Sequence, residues 1–248
     1  MKDRSEHRRI GLARAISKLG YCSRSRAAEL VRKGDVQLNG KVCRNPESPT
    51  QAGKDRIEIA GTRLEQSSKI YLMLNKPRGI VTTASDEKGR NTIYSLLHPN
   101  LPWVAPVGRL DKASEGLLLL TNDSEWGASV TDPGNHWPKT YHVQVATVAS
   151  PPLLQSLENG VRDETGDLLR AKHAAILRSG GKNTWLEIIL EEGKNRQIRR
   201  MLTALDVEVL RLVRVSIGAV ALGNLAKGKS RELTSEEKES LTAASAAM

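Results

Sequence analysis

The first part of the chain shows the hydrophobic spacing of short helices. Over residues 10–19 apolar side chains recur every three or four positions, and Gly20 follows at the point where a helix would end. A second such run covers residues 24–31, with Ser23 before it as an N-cap candidate and Gly34 after it as a C-cap candidate. The pattern therefore predicts two short helices.

A hairpin is predicted directly after these helices. The strand-like segments 36–38 and 41–43 flank the dipeptide 39–40, Asn-Gly, which is the strongest short hairpin signal in the chain. Together with the helices it predicts a small module over residues 9–61. The polar residues 1–8 before it are expected to form a flexible tail.

Beyond a mixed, polar segment at 62–68, predicted to be a linker, the pattern changes to short apolar runs bounded by Gly, Pro, Asn and Asp. Strands are predicted at 70–74, 80–83, 103–107, 117–120, 138–145, 173–177, 184–190 and 207–217. Helices are predicted at 92–97, 124–130, 151–159, 195–205 and 234–247. Asn195 is a cap candidate, and Thr234 with Glu237 reads as a capping box. Residues 69–248 are thus expected to form a second, larger domain.

The charge is concentrated in the first module. The chain of 248 residues has a formal net charge of +10. Residues 1–44 hold twelve Lys and Arg against four Asp and Glu, which is +8 of that total. A solvated charged face is the usual explanation of a charge run, but this concentration favours binding to phosphate.

Composition also limits the other function classes. No run approaches the roughly 18 apolar residues of a membrane span, and Met-Lys-Asp-Arg-Ser-Glu at the start is not a secretory signal. A cytoplasmic protein with a nucleic-acid partner is expected. Cys22, Cys43 and the five His lack metal-ligand spacing, and no Gly-rich phosphate loop is found. Neither a metal nor a cofactor is expected.

The most informative stretch is 108–116, Gly-Arg-Leu-Asp-Lys-Ala-Ser-Glu-Gly, which reads as a tight polar loop before the buried strand 117–120. Asp111 lies in this loop, where rigid strands can hold a reactive side chain. The nearby cations Arg109 and Lys112 favour an ionised carboxylate, which suits a nucleophile. On local pattern alone, an Asp that bonds backbone amides of its own loop is the commoner explanation.

The longer string 108–123 closely resembles the signature of RNA pseudouridine synthases, in the RsuA-like branch that modifies ribosomal RNA. The resemblance implies that Asp111 is the catalytic residue. Ser124 departs from the pattern, because Gly often follows Asn-Asp there. The variant at 114–116, Ser-Glu-Gly, looks slightly more like enzymes of the large ribosomal subunit, although some enzymes with that variant lack the N-terminal module.

The first module resembles the S4 RNA-binding domain, through Leu-Ala-Arg at 12–14, Ser-Arg at 23–24 and Val-Gln-Leu-Asn-Gly at 36–40. Such modules bind the shape and backbone of folded RNA. The residues expected to contact RNA are Arg14, Arg24, Arg26, Lys33, Asn39 and Lys41.

Two further stretches resemble the synthase family. Tyr141 opens the strand 138–145 in a Lys-x-Tyr pattern; it could be a core tyrosine, but the resemblance implies that its ring lies on the target base and handles a proton. The stretch 191–202 contains Glu-Gly-Lys-x-x-Gln-Ile-Arg-Arg-Met, in which the resemblance implies that Arg199 pairs with the catalytic Asp. Other residues expected to bind substrate are Arg109, Lys139, Gln197, Arg200 and Leu210, with Leu210 as an apolar wall and Arg109 filling the space that the base vacates.

The resemblance implies an α+β fold, in which the S4 domain is joined to a catalytic domain with a mixed, largely antiparallel sheet and a central cleft. Asp111, Tyr141 and Arg199 are expected to meet there. The implied reaction is uridine-to-pseudouridine isomerisation in structured RNA. The sequence leaves the oligomeric state open, and a monomer is the default expectation. One alternative is a non-catalytic S4-type ribosome-assembly protein. Another is a metal-dependent nuclease, disfavoured because no further carboxylates cluster near Asp111.

Overall fold

The computed structural model describes residues 9–51, 53–83 and 89–242. The chain divides into two compact units. The first contains residues up to Tyr71 together with 98–105 and 120–124. The second contains 72–97, 106–119 and the chain from Glu125 onward. The predicted tail, residues 1–8, lies outside the described residues.

The first unit contains the predicted helices and hairpin. Its elements are β1 (Ile10–Gly11), α1 (Leu12–Lys18), α2 (Arg24–Lys33), β2 (Val36–Leu38), β3 (Lys41–Val42), β4 (Pro49–Thr50), β5 (Ile57–Ile59) and β6 (Thr62–Arg63). One four-stranded sheet has the order β3-β2-β5-β6, and β1 pairs with β4. The apolar faces of both helices form the core with β2 and β5, through Leu12, Ile16, Ala27, Val31, Val36 and Ile57 among others.

The predicted helix and turn signals act as expected. The Ser23 side chain accepts a hydrogen bond from the Arg26 amide at 3.2 Å, and Gly34 ends α2 in the left-handed conformation with φ 87°. Asn39 and Gly40 have φ of 52° and 79°, which is the geometry of a type I′ hairpin turn. These local predictions are confirmed.

The segment predicted to be a linker is ordered. Residues Thr62–Arg63 form β6 and pair with β5, so the sheet of the module extends to residue 63. Ser67 then donates hydrogen bonds from both its amide and its hydroxyl to the carbonyl of Leu19, at 3.4 Å and 3.0 Å. The start of this segment belongs to the S4-like fold, because β5 lacks a partner on that side without it.

The second unit is built on a nine-stranded mixed sheet. Its strands are β7 (Tyr71–Lys76), β8 (Ala105–Val107), β9 (Glu115–Thr121), β10 (Lys139–Val145), β13 (His173–Ser179), β14 (Thr184–Leu190), β15 (Val209–Ile217), β16 (Val220–Ala221) and β17 (Ser230–Glu232). The strand order is β13-β14-β10-β15-β9-β7-β17, with β16 paired to β15 and β8 paired to β9. The short hairpin β11 (Val161–Arg162) and β12 (Leu168–Leu169) is separate. The helices are α3 (Ser124–Thr131), α4 (Pro151–Asn159), α5 (Gln197–Thr203) and α6 (Ser235–Ser240), with short 3₁₀ turns at Ile93–Leu96 and Pro133–Asn135. The predicted α+β class is confirmed.

The main core of this unit lies on one face of the sheet. Val143, Leu186 and Leu212 are neighbours across β10, β14 and β15, and all three point into it. Helices α4 and α5 cover this face with Leu157, Ile198, Met201 and Leu202. Alternate residues of the same strands point to the opposite face, as the period of two requires.

Three sequence predictions are revised here. Residues 80–83 are not a strand; Val81 forms only an isolated bridge with Thr92. Asn195 does not cap α5, because the residue at the N-cap position is Arg196. Helix α6 begins with the predicted capping box, but it ends at Ser240, and residues 243–247 lie outside the described part.

Candidate active site

Asp111 lies in the loop between β8 and β9, and the buried side chain of Lys76 donates hydrogen bonds to the backbone of this loop. Lys76 is fully buried at the end of β7. Its ammonium donates hydrogen bonds to the carbonyls of Asp111 at 3.1 Å, Ser114 at 2.9 Å and Pro77 at 3.2 Å. Burial lowers the pKa of Lys76 to about 8, although the charges of Asp111 and Glu115 act in the opposite direction.

The segment after Lys76 also supports the loop. The amide of Gly79 donates to the carbonyl of Lys112 at 2.8 Å. The hydroxyl of Thr82 donates to the carbonyl of Leu110, also at 2.8 Å. This explains why residues 80–83 leave the sheet: Thr82 is used to fix the loop. The backbone on both sides of Asp111 is therefore bonded to the chain between residues 76 and 82.

Gly116 brings a second strand close to the loop. Its φ is +102°, and a Cβ atom there would lie 2.2 Å from the carbonyl oxygen of Arg214. No other residue type fits both restrictions. The close parallel pairing of β9 and β15, with Gly116 opposite Arg214, depends on this glycine.

Two arginines at the start of α5 also contact the loop, Arg196 at the N-cap position and Arg199 in the first turn of the helix. Arg196 has φ +50° and places its guanidinium 3.5 Å from the Asp111 carboxylate. Arg199 donates to the carbonyl of Ala113 at 3.1 Å. Burial lowers the pKa of Arg199, with the charges of Arg196 and Arg78 acting in the same direction and Asp111 opposing them. The positive φ of Arg196 is a strained backbone conformation for a residue other than glycine, and such strain is common at functional sites.

These contacts correct one sequence prediction. The ion pair to Asp111 comes from Arg196, whereas Arg199 binds the loop backbone two residues further on. The negative charge of Asp111 still acts on Arg199 and, taken alone, raises the pKa of its guanidinium. The Nε atom of Arg199 is buried and has no hydrogen-bond partner among the residues described.

Two other polar residues of α5, Gln197 and Arg200, bind neighbouring segments of the chain. Arg200 forms ion pairs with Asp163 and Asp167 and a 2.9 Å hydrogen bond to Thr165. Gln197 is buried and bonds Arg170 and Glu192. Both residues are predicted from the sequence to bind substrate; the structure shows these intramolecular contacts, and substrate binding by them stays a prediction.

Tyr141 faces the core side of β10, half-buried, directly across from Arg214. Arg214 is 6% exposed, donates from Nε to the Leu117 carbonyl at 2.8 Å, and its buried Nη2 has no hydrogen-bond partner in the described part of the chain. Its charge, together with burial as the larger effect, lowers the pKa of Lys139. Lys139 itself bonds the Glu191 carbonyl at 3.1 Å. No hydrogen bond or ion pair within the described ranges joins Tyr141 to Asp111.

Two other predicted residues lie at the ends of this site. The carbonyl of Leu210 accepts a hydrogen bond from Arg78 at 3.3 Å, and its side chain is half-buried. Arg109 is exposed in the loop, two residues before Asp111. The structure thus assembles Asp111, Arg196, Arg199 and Lys76 through direct contacts around one loop.

Comparison with known proteins identifies the family. The family model described as RNA pseudouridylate synthase matches residues 70–204, and the S4 domain model matches residues 10–57. This chain belongs to the RNA pseudouridine synthase family. The synthase match includes the Asp111 loop, Tyr141 and α5, and the resemblance noted from sequence is confirmed.

Similar proteins cover nearly the full length of this synthase. A Bacillus subtilis protein named ribosomal large subunit pseudouridine synthase B is 37% identical over 234 residues, which is 94% of this chain and 95% of that protein. An Aquifex aeolicus protein named uncharacterized RNA pseudouridine synthase is 35% identical, with 92% of each chain covered. A crystal structure described as pseudouridylate synthase has a TM-score of 0.66 at 29% identity and covers 94% of this chain and 99% of that one.

The S4 module of the synthase presents its predicted RNA-contact residues at the surface. All six are exposed: Arg14, Arg24, Arg26, Lys33, Asn39 and Lys41. Asn39 also has a structural contact, because its side chain bonds Asp55 at 3.0 Å and accepts from the Arg56 amide at 2.9 Å. The pKa of Asp55 is lowered mainly by the hydrogen bond that its carboxylate accepts from the Gln51 amide. The hydrogen bond from the Asn39 side chain also lowers it.

Four residues with contacts in or near the Asp111 loop are not predicted from the sequence: Lys76, Arg78, Arg196 and Arg214. Only Lys76 had a signal, the Lys-Pro-x-Gly turn that also occurs in the family. Among the residues described, no helix is long and apolar enough to span a membrane. Nor does that part of the chain hold a group of three or more His, Cys, Asp or Glu able to bind a metal ion.

Proposed function

We propose that this protein isomerises a specific uridine to pseudouridine in ribosomal RNA, with Asp111 as the catalytic carboxylate. The observation that carries the proposal is the Asp111 loop, which Lys76 holds from one side while Arg196 pairs with its carboxylate from the other. A carboxylate that reacts with one nucleotide must be held within a fraction of an ångström. The backbone contacts of the loop provide that rigidity.

The reaction requires no net change in atoms or electrons. The bond from N1 of the base to C1′ of the ribose breaks, the base turns, and a bond from C5 to C1′ forms. The proton on C5 is removed and N1 gains one. A carboxylate and a proton acceptor are sufficient for these steps, and the proposal includes no metal or cofactor.

Each further residue has a proposed task. Arg196 orients the Asp111 carboxylate through its ion pair, and Arg199 holds the loop carbonyl of Ala113. Tyr141 lies against the base and accepts or relays the C5 proton. The partnerless donors of Arg199 and Arg214 are available for the uracil oxygens or the flanking phosphate. A buried donor without a partner is costly, so a bound nucleotide would recover that free energy.

The target base must leave the RNA stack, and Arg109 and Leu210 are proposed to assist. Extrusion of a base costs a few kcal/mol. Arg109, exposed two residues before Asp111, is proposed to occupy the space that the base leaves. Leu210 and Tyr141 are proposed to form the apolar walls around the flipped base. Lys139 is proposed to contact the phosphate of the flipped nucleotide.

The S4 module is proposed to supply most of the binding free energy. Its exposed Arg14, Arg24 and Arg26 carry charge on both helices of a module with most of the net charge of the chain. Ribosomal RNA of the large subunit is the proposed substrate, as the name of the Bacillus subtilis relative and the Ser-Glu-Gly variant at 114–116 both suggest. A cytoplasmic monomer is the proposed form.

Pseudouridine mapping of total RNA tests the proposal. Cells that lack this protein would be compared with cells that carry the wild type or Asp111→Asn. We expect one uridine in large-subunit ribosomal RNA whose modification is lost, returns with wild type and stays absent with the variant. If no position changes in any RNA, the enzymatic proposal fails, and a role as an RNA-binding assembly protein becomes the better explanation.

A further inference from the structure

The carboxylate of Glu115 is a second acidic group close to the Asp111 loop, and the proposed chemistry does not use it. Glu115 is the first residue of β9 and directly follows Ser114, whose carbonyl is bound by Lys76. Its side chain is only 4% exposed. A buried carboxylate requires compensation, so its partners show what it is fixed to.

Two cations from distant parts of the chain meet at Glu115. Arg211 in β15 binds it with two parallel hydrogen bonds, Nε to Oε1 at 3.1 Å and Nη2 to Oε2 at 3.2 Å. Lys227, in the loop before β17, forms an ion pair with Oε2. A bidentate arginine fixes direction as well as distance. The end of the Asp111 loop is therefore attached to two separate segments of the chain, strand β15 and the loop before β17.

Arg211 is itself restrained on its other side. Its guanidinium lies 5.4 Å from the centre of the Trp185 ring, and that of Arg178 lies 5.2 Å from the same ring. The indole is thus a support between two arginines, and the interaction favours one position of the Arg211 head. The contacts run without a break from Arg178 through Trp185 and Arg211 to Glu115.

Stability alone does not account for such an arrangement. Removing two or three charges from water costs about as much as their attraction returns, so that well-packed apolar residues often serve stability equally well. What the ion cluster provides is a fixed geometry. Arg211 is adjacent to Leu210, a proposed wall of the base pocket, and Glu115 is four residues after Asp111.

We propose that Glu115 is a positioning residue: through Arg211, with Trp185 behind it and Lys227 beside it, it sets the separation between the Asp111 loop and the β15 wall that holds the target base. This inference rests on the proposed function of Asp111. Glu115 touches neither base nor ribose; it acts through the loop and through β15. Loss of its charge should misplace Asp111 relative to the base without removing any RNA contact.

The test compares Glu115→Gln with Glu187→Gln in the full-length protein on its ribosomal RNA substrate. Glu187 is a fitting control, because it lies on β14 two residues after Trp185 and pairs with His142 at 3.6 Å, and among the residues described it forms no hydrogen bond or ion pair with Glu115 or Arg211. We expect Glu115→Gln to lower the single-turnover rate about tenfold or more, with the Kd for RNA within twofold of wild type. Glu187→Gln should leave both values unchanged.

Further variants separate positioning from folding. Arg211→Lys keeps the charge but loses the planar fork, so it should lower the rate while the melting temperature stays near that of wild type. Trp185→Phe should give a smaller loss of the same kind. The inference is overturned if Glu115→Gln keeps the wild-type rate, or if its Kd for RNA weakens in proportion to its rate. Wild type and Asp111→Asn run in parallel: an inactive wild type would refute the proposed function, whereas an active wild type with a fully active Glu115→Gln would refute only this inference.

Discussion

Two exposed arginines of the S4 module and two more deeply buried arginines near the Asp111 loop, Arg199 and Arg214, are held in opposite ways. Arg24 and Arg26 pair with Glu47 and Glu29 at 3.5 Å and 3.0 Å, and all four side chains are more than half exposed. Such pairs contribute about 0–1 kcal/mol and exchange readily for other partners. By contrast, Arg199 and Arg214 are half or fully buried and bond backbone carbonyls.

The difference separates two functions of positive charge. Exposed guanidiniums can rearrange to meet phosphates, so they provide affinity that depends on salt. Guanidiniums fixed to carbonyls cannot rearrange, so they provide geometry. We therefore expect changes in the S4 module to alter RNA binding and changes around Asp111 to alter the rate.

The largest effect is expected for Arg196→Gln. Loss of the guanidinium leaves the Asp111 carboxylate without its ion-pair partner, and a displacement of about 1 Å can cost on the order of 10²-fold in rate. Single-turnover assays on the RNA substrate would measure it. Lys194→Gln is the matched control, since Lys194 lies in the same loop and pairs with Glu192. Equal rates for the two variants would remove Arg196 from the site.

Lys76→Met should disorder the loop. The variant keeps the length of the side chain but leaves the carbonyls of Pro77, Asp111 and Ser114 without their donor, at about 1–3 kcal/mol for a buried polar group that loses its partner. Urea denaturation and the rate assay would both report it. An unchanged rate would show that the loop holds its geometry without Lys76.

Arg24→Gln with Arg26→Gln should affect binding alone. Each lost phosphate contact lowers the slope of log K against log salt by about 0.7–0.9. Filter binding at several salt concentrations would measure the slope, with Arg162→Gln, an exposed arginine of the second unit, as the control. If the double variant instead lowered the rate at saturating RNA and left RNA binding unchanged, the S4 arginines would act on the rate rather than on binding, contrary to the prediction.

The smallest effect is a pH dependence from Lys76. Burial lowers its pKa from the ordinary 10.5 to about 8. Between these values the unfolded chain holds a proton that the folded chain has released, so the free energy of unfolding should rise with pH across this window. Denaturation at pH 8 and pH 10 would show a larger increase for wild type than for Lys76→Met. An equal increase in the free energy of unfolding for the two proteins would contradict the lowered pKa of Lys76.

The sequence was informative where a local rule or a long string decides the outcome. The capping serine, Gly34 and the Asn-Gly turn are local, and all three act as predicted. Asp111 was singled out because the string at 108–123 is long and without gaps. Such signals depend on neighbours in sequence, so no tertiary knowledge is needed to interpret them.

The sequence predictions were wrong where a contact between segments distant in sequence determines the local structure. The β-branched residues 80–83 look like a strand, but Thr82 is used to bond Leu110. Periodicity along α5 could not tell that Arg196, just before the helix, would reach Asp111 through a positive φ. Arg214 looks like an ordinary strand residue, because only its burial against the distant carbonyl of Leu117 marks it.

The most direct test of the whole account uses purified protein and measures two quantities on one RNA. Wild type and Asp111→Asn would each be titrated with the large-subunit ribosomal RNA fragment that contains the mapped uridine, and the Kd and the yield of pseudouridine would be measured. The account predicts a Kd within about twofold for the two proteins and no pseudouridine with Asp111→Asn. Pseudouridine formed by Asp111→Asn at the wild-type rate would contradict it.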